Sequence, residues 1–187
     1  MTDLGTLGGP SSRAEDINQG GAIIGSSGVA SGESHAFKWR AGAFKDIGTN
    51  PTARNSQFSS ATAINTKGQI AGNLGPPLDA EGEELEFIQG FLFYQDVMIT
   101  CCRVRRLTTH VQDINPNGII VGWEEDIRGA EESDNEDPWI YEAGITSRLP
   151  ELSDGHSGAL GINLRGDIVG YSQASASTFH AVLWKRQ

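Results

Sequence analysis

Carboxylates are the side chains of this sequence best placed to do chemistry, and they gather in two stretches. Residues 124–137 hold eight of them against one arginine, opening with Glu124-Glu125-Asp126 and closing with Asp134-Asn135-Glu136-Asp137. A second run reads Leu78-Asp79-Ala80-Glu81-Gly82-Glu83-Glu84-Leu85-Glu86. Oxygen atoms this dense could receive a basic protein segment or weakly hold Ca²⁺. Neither run has the D-x-[DN]-x-[DN]-G spacing of a calcium loop, and charge runs are usually solvated, so acidic loops that maintain solubility are the plainer reading. Glu124, Glu125, Asp126 and Asp134 are the carboxylates we single out as candidate binding residues.

Aromatic and imidazole groups supply the other candidates. Trp123 and Tyr171 each follow a glycine at matching positions and could stack a sugar ring. His35, Gln89, Asp137 and His180 open equivalent strands, where two histidines and an aspartate could bind a metal or exchange protons. Equivalent positions in separate units converge only around a shared axis, which favours polar strand caps here. Asp16 and Asp113 form a carboxylate pair that hydrolysis would require to face each other; structural hydrogen bonding is the preferred role for them. Arg103-Val104-Arg105-Arg106 is a short basic cluster beside the acidic stretches, suited to internal charge pairing. No Gly-x-Ser-x-Gly, Walker loop, Cys-x-x-Cys or His-Glu-x-x-His occurs, so no catalytic residue, metal or cofactor is assigned.

What positions these groups is a repeat. Ile-Asn-x-x-Gly-x-x-x-Gly recurs at Ile17-Asn18, Ile64-Asn65, Ile114-Asn115 and Ile162-Asn163, with asparagines 47, 50 and 48 residues apart. Such a period with strand signals implies a propeller or related array. Each unit reads as a strand ending at Ile-Asn, a type I turn closed by glycine, a doubly buried apolar strand, an alternating aromatic strand, and a short outer strand. The glycine seven residues after each asparagine implies that a side chain there would strike a neighbouring backbone. The acidic stretches fall in the loops between the second and third strands of units two and three, which are longer than their counterparts.

The fourth unit ends before its outer strand, while Thr2-Asp3-Leu4-Gly5-Thr6-Leu7 resembles Lys45-Asp46-Ile47-Gly48-Thr49. The expected architecture is therefore all-β: one domain, 1–187, a β-propeller of four four-stranded blades closed by the N-terminal strand completing the last blade. The repeats span about 10–48, 57–101, 108–149 and 156–187 plus 2–7.

Composition narrows the partners. A net charge of −10 disfavours nucleic-acid backbones and anionic membrane surfaces. No apolar run approaches a membrane span. The start Met1-Thr2-Asp3-Leu4-Gly5 has no secretion signal, which as written reads as cytoplasmic. Cys101 and Cys102, the two cysteines, are expected reduced, with side chains on opposite faces of a strand.

Asp3-Leu4-Gly5-Thr6-Leu7-Gly8-Gly9, the Ile-Asn-x-x-Gly turns, His35-Ala36-Phe37-Lys38-Trp39 and His180-Ala181-Val182-Leu183-Trp184 resemble the HAF-repeat family of bacterial proteins. The resemblance implies a repeat protein, extracellular if a leader has been removed, and brings no reaction or ligand. The reading is thus a non-enzymatic binding module for a protein or small polar ligand, with a glycan-binding propeller and a hydrolase as alternatives.

Overall fold

The computed structural model describes residues 1–48, 58–75, 88–102, 108–125 and 135–186. Four antiparallel sheets follow one another along the chain, with no helix among the described residues. The first contains β1 (Gly8–Ile17), β2 (Ile23–Val29), β3 (Ser34–Arg40) and β4 (Ala43–Gly48). The second contains β5 (Ser59–Ile64), β6 (Ile70–Leu74), β7 (Gln89–Tyr94) and β8 (Val97–Cys101). The third contains β9 (Thr108–Ile114), β10 (Ile120–Glu125), β11 (Glu136–Glu142) and β12 (Ile145–Arg148). The fourth holds only β13 (Ser157–Ile162), β14 (Ile168–Ser175) and β15 (Thr178–Trp184). Each sheet packs on the next, so the repeat units are the packing units.

The Ile-Asn-x-x-Gly signature builds the turns as expected. Gly21, Gly68, Gly118 and Gly166 close them at φ of 73°, 78°, 83° and 89°, each donating its N–H to the asparagine carbonyl. The asparagine Oδ1 atoms accept two further turn N–H groups apiece, as at Gly20 and Ala22 for Asn18. Their amide groups reach further. Asn18 Nδ2 donates to the Asn65 carbonyl, Asn65 Nδ2 to Asn115, and Asn115 Nδ2 to Asn163, each 3.1 Å or less. A ladder of side chains therefore stitches sheet to sheet.

The glycine of the second strand has the predicted steric role, and the registers show its cause. All four innermost strands carry an irregularity: Ala14/Asp16, Ala61/Ala63, the β9 step opposite Val121/Gly122, and Ala159/Gly161. This bulge drives a carbonyl toward the neighbouring strand. A Cβ on Gly25, Gly122 or Gly170 would lie 1.9 Å from the carbonyl oxygen of Arg13, His110 or Gly158, and one on Gly72 2.2 Å from that of Ser60.

Two expectations are corrected. The N-terminal segment does not complete the fourth sheet. Leu7 bridges Val29 and donates its N–H to Ser27 Oγ, while Ser12 Oγ donates to the Gly5 carbonyl. The reason is the outer face of the first sheet. Phe37 and Phe44 project there, away from the second sheet, with ring centroids 4.8 Å apart. The backbone at Gly5 lies against Phe44, and Phe37 is left 1% exposed. The segment thus finds its hydrogen-bond partners and an apolar neighbour on the sheet it leads into, without reaching the distant edge.

The cysteine expectation fails too. Cys102 leaves the strand at φ 61°, so the two thiols lie together in one apolar cluster, rather than on opposite faces.

Candidate functional site

The β10–β11 hairpin ends in two rungs of like charge. Glu124 pairs with Asp137 and Glu125 with Glu136 across the strands. Carboxylates directly opposite repel, so each rung needs a compensating group. Arg148, opposite Trp139 on β12, supplies the first. Its Nε lies 3.1 Å from Glu124 Oε1 and its Nη2 2.7 Å from Asp137 Oδ2. The compensation is incomplete, because Glu124 is 0% exposed and its Oε2 has no hydrogen-bond partner. Burial accordingly pushes the Glu124 carboxyl above the usual carboxylate range, Arg148 pulls it down, and Asp137 pushes it up. Glu151 is raised by burial as well, against a hydrogen bond from Ser157 and in contact with Asp137.

The second rung is held from both sides. Glu125 meets His110 Nε2 at 3.1 Å, and that imidazole stacks on Trp123 with centroids 3.7 Å apart. Glu136 accepts a 2.5 Å hydrogen bond from the Tyr171 hydroxyl, which crosses from the fourth sheet. Burial pushes this phenol well above its ordinary range, and the Glu136 bond and charge push it further. His156 Nδ1 stands 3.9 Å from the same carboxylate oxygen, with Phe179 packed against both rings. The seam between sheets three and four thus gathers Glu125, Glu136, His110, His156, Trp123 and Tyr171 at one end.

This geometry brings together three sequence candidates, Glu125, Trp123 and Tyr171; Glu124, one residue earlier on β10, points to the opposite face of the third sheet, where Arg148 holds it. Asp126 and Asp134 lie outside the described residues, as do the 78–86 run and the 103–106 basic cluster. His35 is elsewhere, on the first sheet, with Nδ1 2.9 Å from Asp46 Oδ2. His180 is exposed on β15, opposite Ser172. The strand-opening residues His35, Gln89, Asp137 and His180 therefore act in separate settings. Sequence reasoning missed Arg148; from the sequence His110 and His156 are a pair near the starts of the first strands without a third ligand, and the acidic run contains Glu136, but only the hairpin register shows which carboxylates oppose each other. Asp16 and Asp113 serve the seams: Asp16 Oδ2 accepts the Ile64 N–H at 2.9 Å and Asp113 Oδ2 the Ile162 N–H at 2.8 Å. Among the described residues no group of three or more histidines, cysteines and carboxylates is disposed to hold a metal.

No family model matches this chain, and neither does any curated protein. Among solved structures it resembles TolB from Acinetobacter baumannii, a β-propeller, at a TM-score of 0.53 and 11% identity. The match covers 87% of this chain and 37% of that one, so the chain spans little more than a third of the TolB length. The likeness is one of fold.

Proposed function

We propose that this chain is a propeller-type, non-enzymatic binding module whose acidic hairpin end receives a basic segment of a protein partner. The observation that carries the reading is the pair of successive like-charge rungs at the hairpin end, Glu124–Asp137 on one face of the sheet and Glu125–Glu136 on the other, with one arginine shared by the first pair. Glu125, Glu136 and Asp137 keep 29%, 26% and 20% of their side chains exposed, enough for an incoming lysine or arginine to reach. Charge-assisted bonds from such a cation would relieve the repulsion that the fold leaves in place. The flanking carboxylates Asp126 and Asp134 extend the same charge along the sequence. A net charge of −10 speeds the approach of basic partners.

The glycan and hydrolase alternatives have less support. One face of the Trp123 ring is occupied by His110, and the Tyr171 hydroxyl is committed to Glu136. Asp16 and Asp113 are spent on backbone amides.

The test uses a fluorescent lysine- and arginine-rich peptide, with an acidic peptide of equal length as control. Anisotropy should show binding to the basic peptide that weakens as salt is raised, and a loss of about tenfold in Glu125→Gln/Glu136→Gln, as expected for two lost charge contacts. Equal affinity in the variant, or no binding at low salt, overturns the reading.

A further inference from the structure

The buried cysteine pair at the end of β8 has no part in the acidic hairpin. Cys101 is 3% and Cys102 2% exposed, and both sit in the cluster of Ala63, Ala71, Val111, Ile114, Ile120 and Trp139. In a continuing strand their side chains would diverge. The left-handed φ of 61° at Cys102, unusual for a residue with a Cβ, turns the second side chain back beside the first. The two sulfur atoms lie only 2.7 Å apart. The Cys102 carbonyl is held in turn by the Thr109 hydroxyl at 3.1 Å, which fixes the turn.

We propose that Cys101 and Cys102 are a site of oxidative modification, joined by a disulfide between chain neighbours when the protein folds in the presence of a small-molecule disulfide. One cysteine thiolate attacks the disulfide RSSR, forming a mixed disulfide and releasing RS⁻. The neighbouring thiolate then attacks the protein sulfur of that mixed disulfide, forming the Cys101–Cys102 bond and releasing the second RS⁻. Two protein thiols are oxidised, one RSSR is reduced to two RSH, and the two thiol protons end on the released RS⁻. The product places an apolar S–S unit in an apolar cluster and removes two S–H groups that have little but each other to bond. In the folded, reduced protein the same burial raises the Cys102 thiol far above its ordinary range and withholds the thiolate. The bond is therefore set during folding or local opening and afterwards shielded from reductant. A crosslink between neighbours closes almost no loop, so it adds little chain-entropy stabilisation; its effect is to lock the Cys102 turn.

The intact chain is refolded in a buffer of oxidised and reduced glutathione, unfolded, alkylated without reductant, digested and weighed. The expected peptide carries both cysteines unalkylated, lacks two hydrogens, and takes up two alkyl groups once reduced. Two alkylated cysteines without reduction, glutathione adducts in place of the mass deficit, or crosslinks between chains would each overturn the proposal. Cys102→Ser must lose the two-hydrogen deficit, and a variant that keeps it overturns the assignment equally.

Discussion

Asn115 and Asn163 stand one sheet apart and are joined by a side-chain bond, the Nδ2 of the former donating to the carbonyl of the latter at 3.1 Å. The same residue accepts from Asn117 and Ile119 through Oδ1, so one asparagine closes its own turn and fastens the next sheet. Asn115→Ala should cost about 2–4 kcal/mol, since it strands a buried N–H as well as removing the bonds. Asn115→Asp separates the two roles. It keeps the turn acceptor but sets a buried carboxylate oxygen against the Asn163 carbonyl, so urea unfolding should show it no more stable than alanine at neutral pH and should recover stability as the carboxyl is protonated. Asn163, whose amide turns back to Asp167 at 3.0 Å, should show the smallest alanine penalty of the four.

The seam glycines make a harsher test. Gly122→Ala would place a Cβ 1.9 Å from the His110 carbonyl oxygen and 2.6 Å from Trp139 Cζ2, both in well-packed surroundings. Loss of soluble folded protein, or destabilisation beyond about 3 kcal/mol, is expected from overpacking against backbone. Gly32→Ala, in a surface turn at φ 99° with open space around it, carries backbone strain alone and should cost about 1–3 kcal/mol by thermal melting while still folding.

The turns and the glycine role were legible in the sequence because a repeat shows the same local chemistry four times. The inter-sheet use of the Asn18, Asn65 and Asn115 amides was not, since it depends on how sheets stack rather than on spacing. The similarity of Thr2–Leu7 to residues 45–49 identified a kind of segment without saying which sheet it would join; the bonds of Leu7 to Ser27 and of Gly5 to Ser12 place it on the first. Charge at 124–137 was plain, yet the opposition of Glu124 to Asp137 is a matter of register across a loop. Cys101 and Cys102 misled because alternation holds only while φ stays extended, and Cys102 departs from it.

Glu124 predicts a pH dependence with a definite sign. Burial raises its folded pKa above the unfolded carboxylate value, so the folded chain retains a proton where the unfolded chain has released it. Its contribution to stability is full below the unfolded pKa and is lost as pH rises through the folded one. Glu151 acts in the same direction. The difference in unfolding free energy between wild type and Glu124→Gln should therefore move toward wild type as pH falls through the acid range. A difference that is flat with pH would mean that Arg148 neutralises the burial completely.

Tyr171 gives a spectroscopic reading of the seam between sheets three and four. Its hydroxyl donates to Glu136 at 2.5 Å, and ionising it would place a phenolate against that carboxylate inside a partly buried contact. Burial and Glu136 both oppose the charge, so in an absorbance titration the Tyr171 phenolate should appear only as the protein unfolds in base. Tyr171→Phe should remove amplitude from that late step and from no earlier one. Glu136→Gln keeps an acceptor for the hydroxyl while deleting the charge, so the late step should move to lower pH without reaching the ordinary phenol range. If Tyr171→Phe instead removed amplitude from the first step, the hydroxyl would be free in solution and the seam contact absent. The two variants together distinguish the charge of Glu136 from burial as the larger restraint, because burial is the part that survives the glutamine.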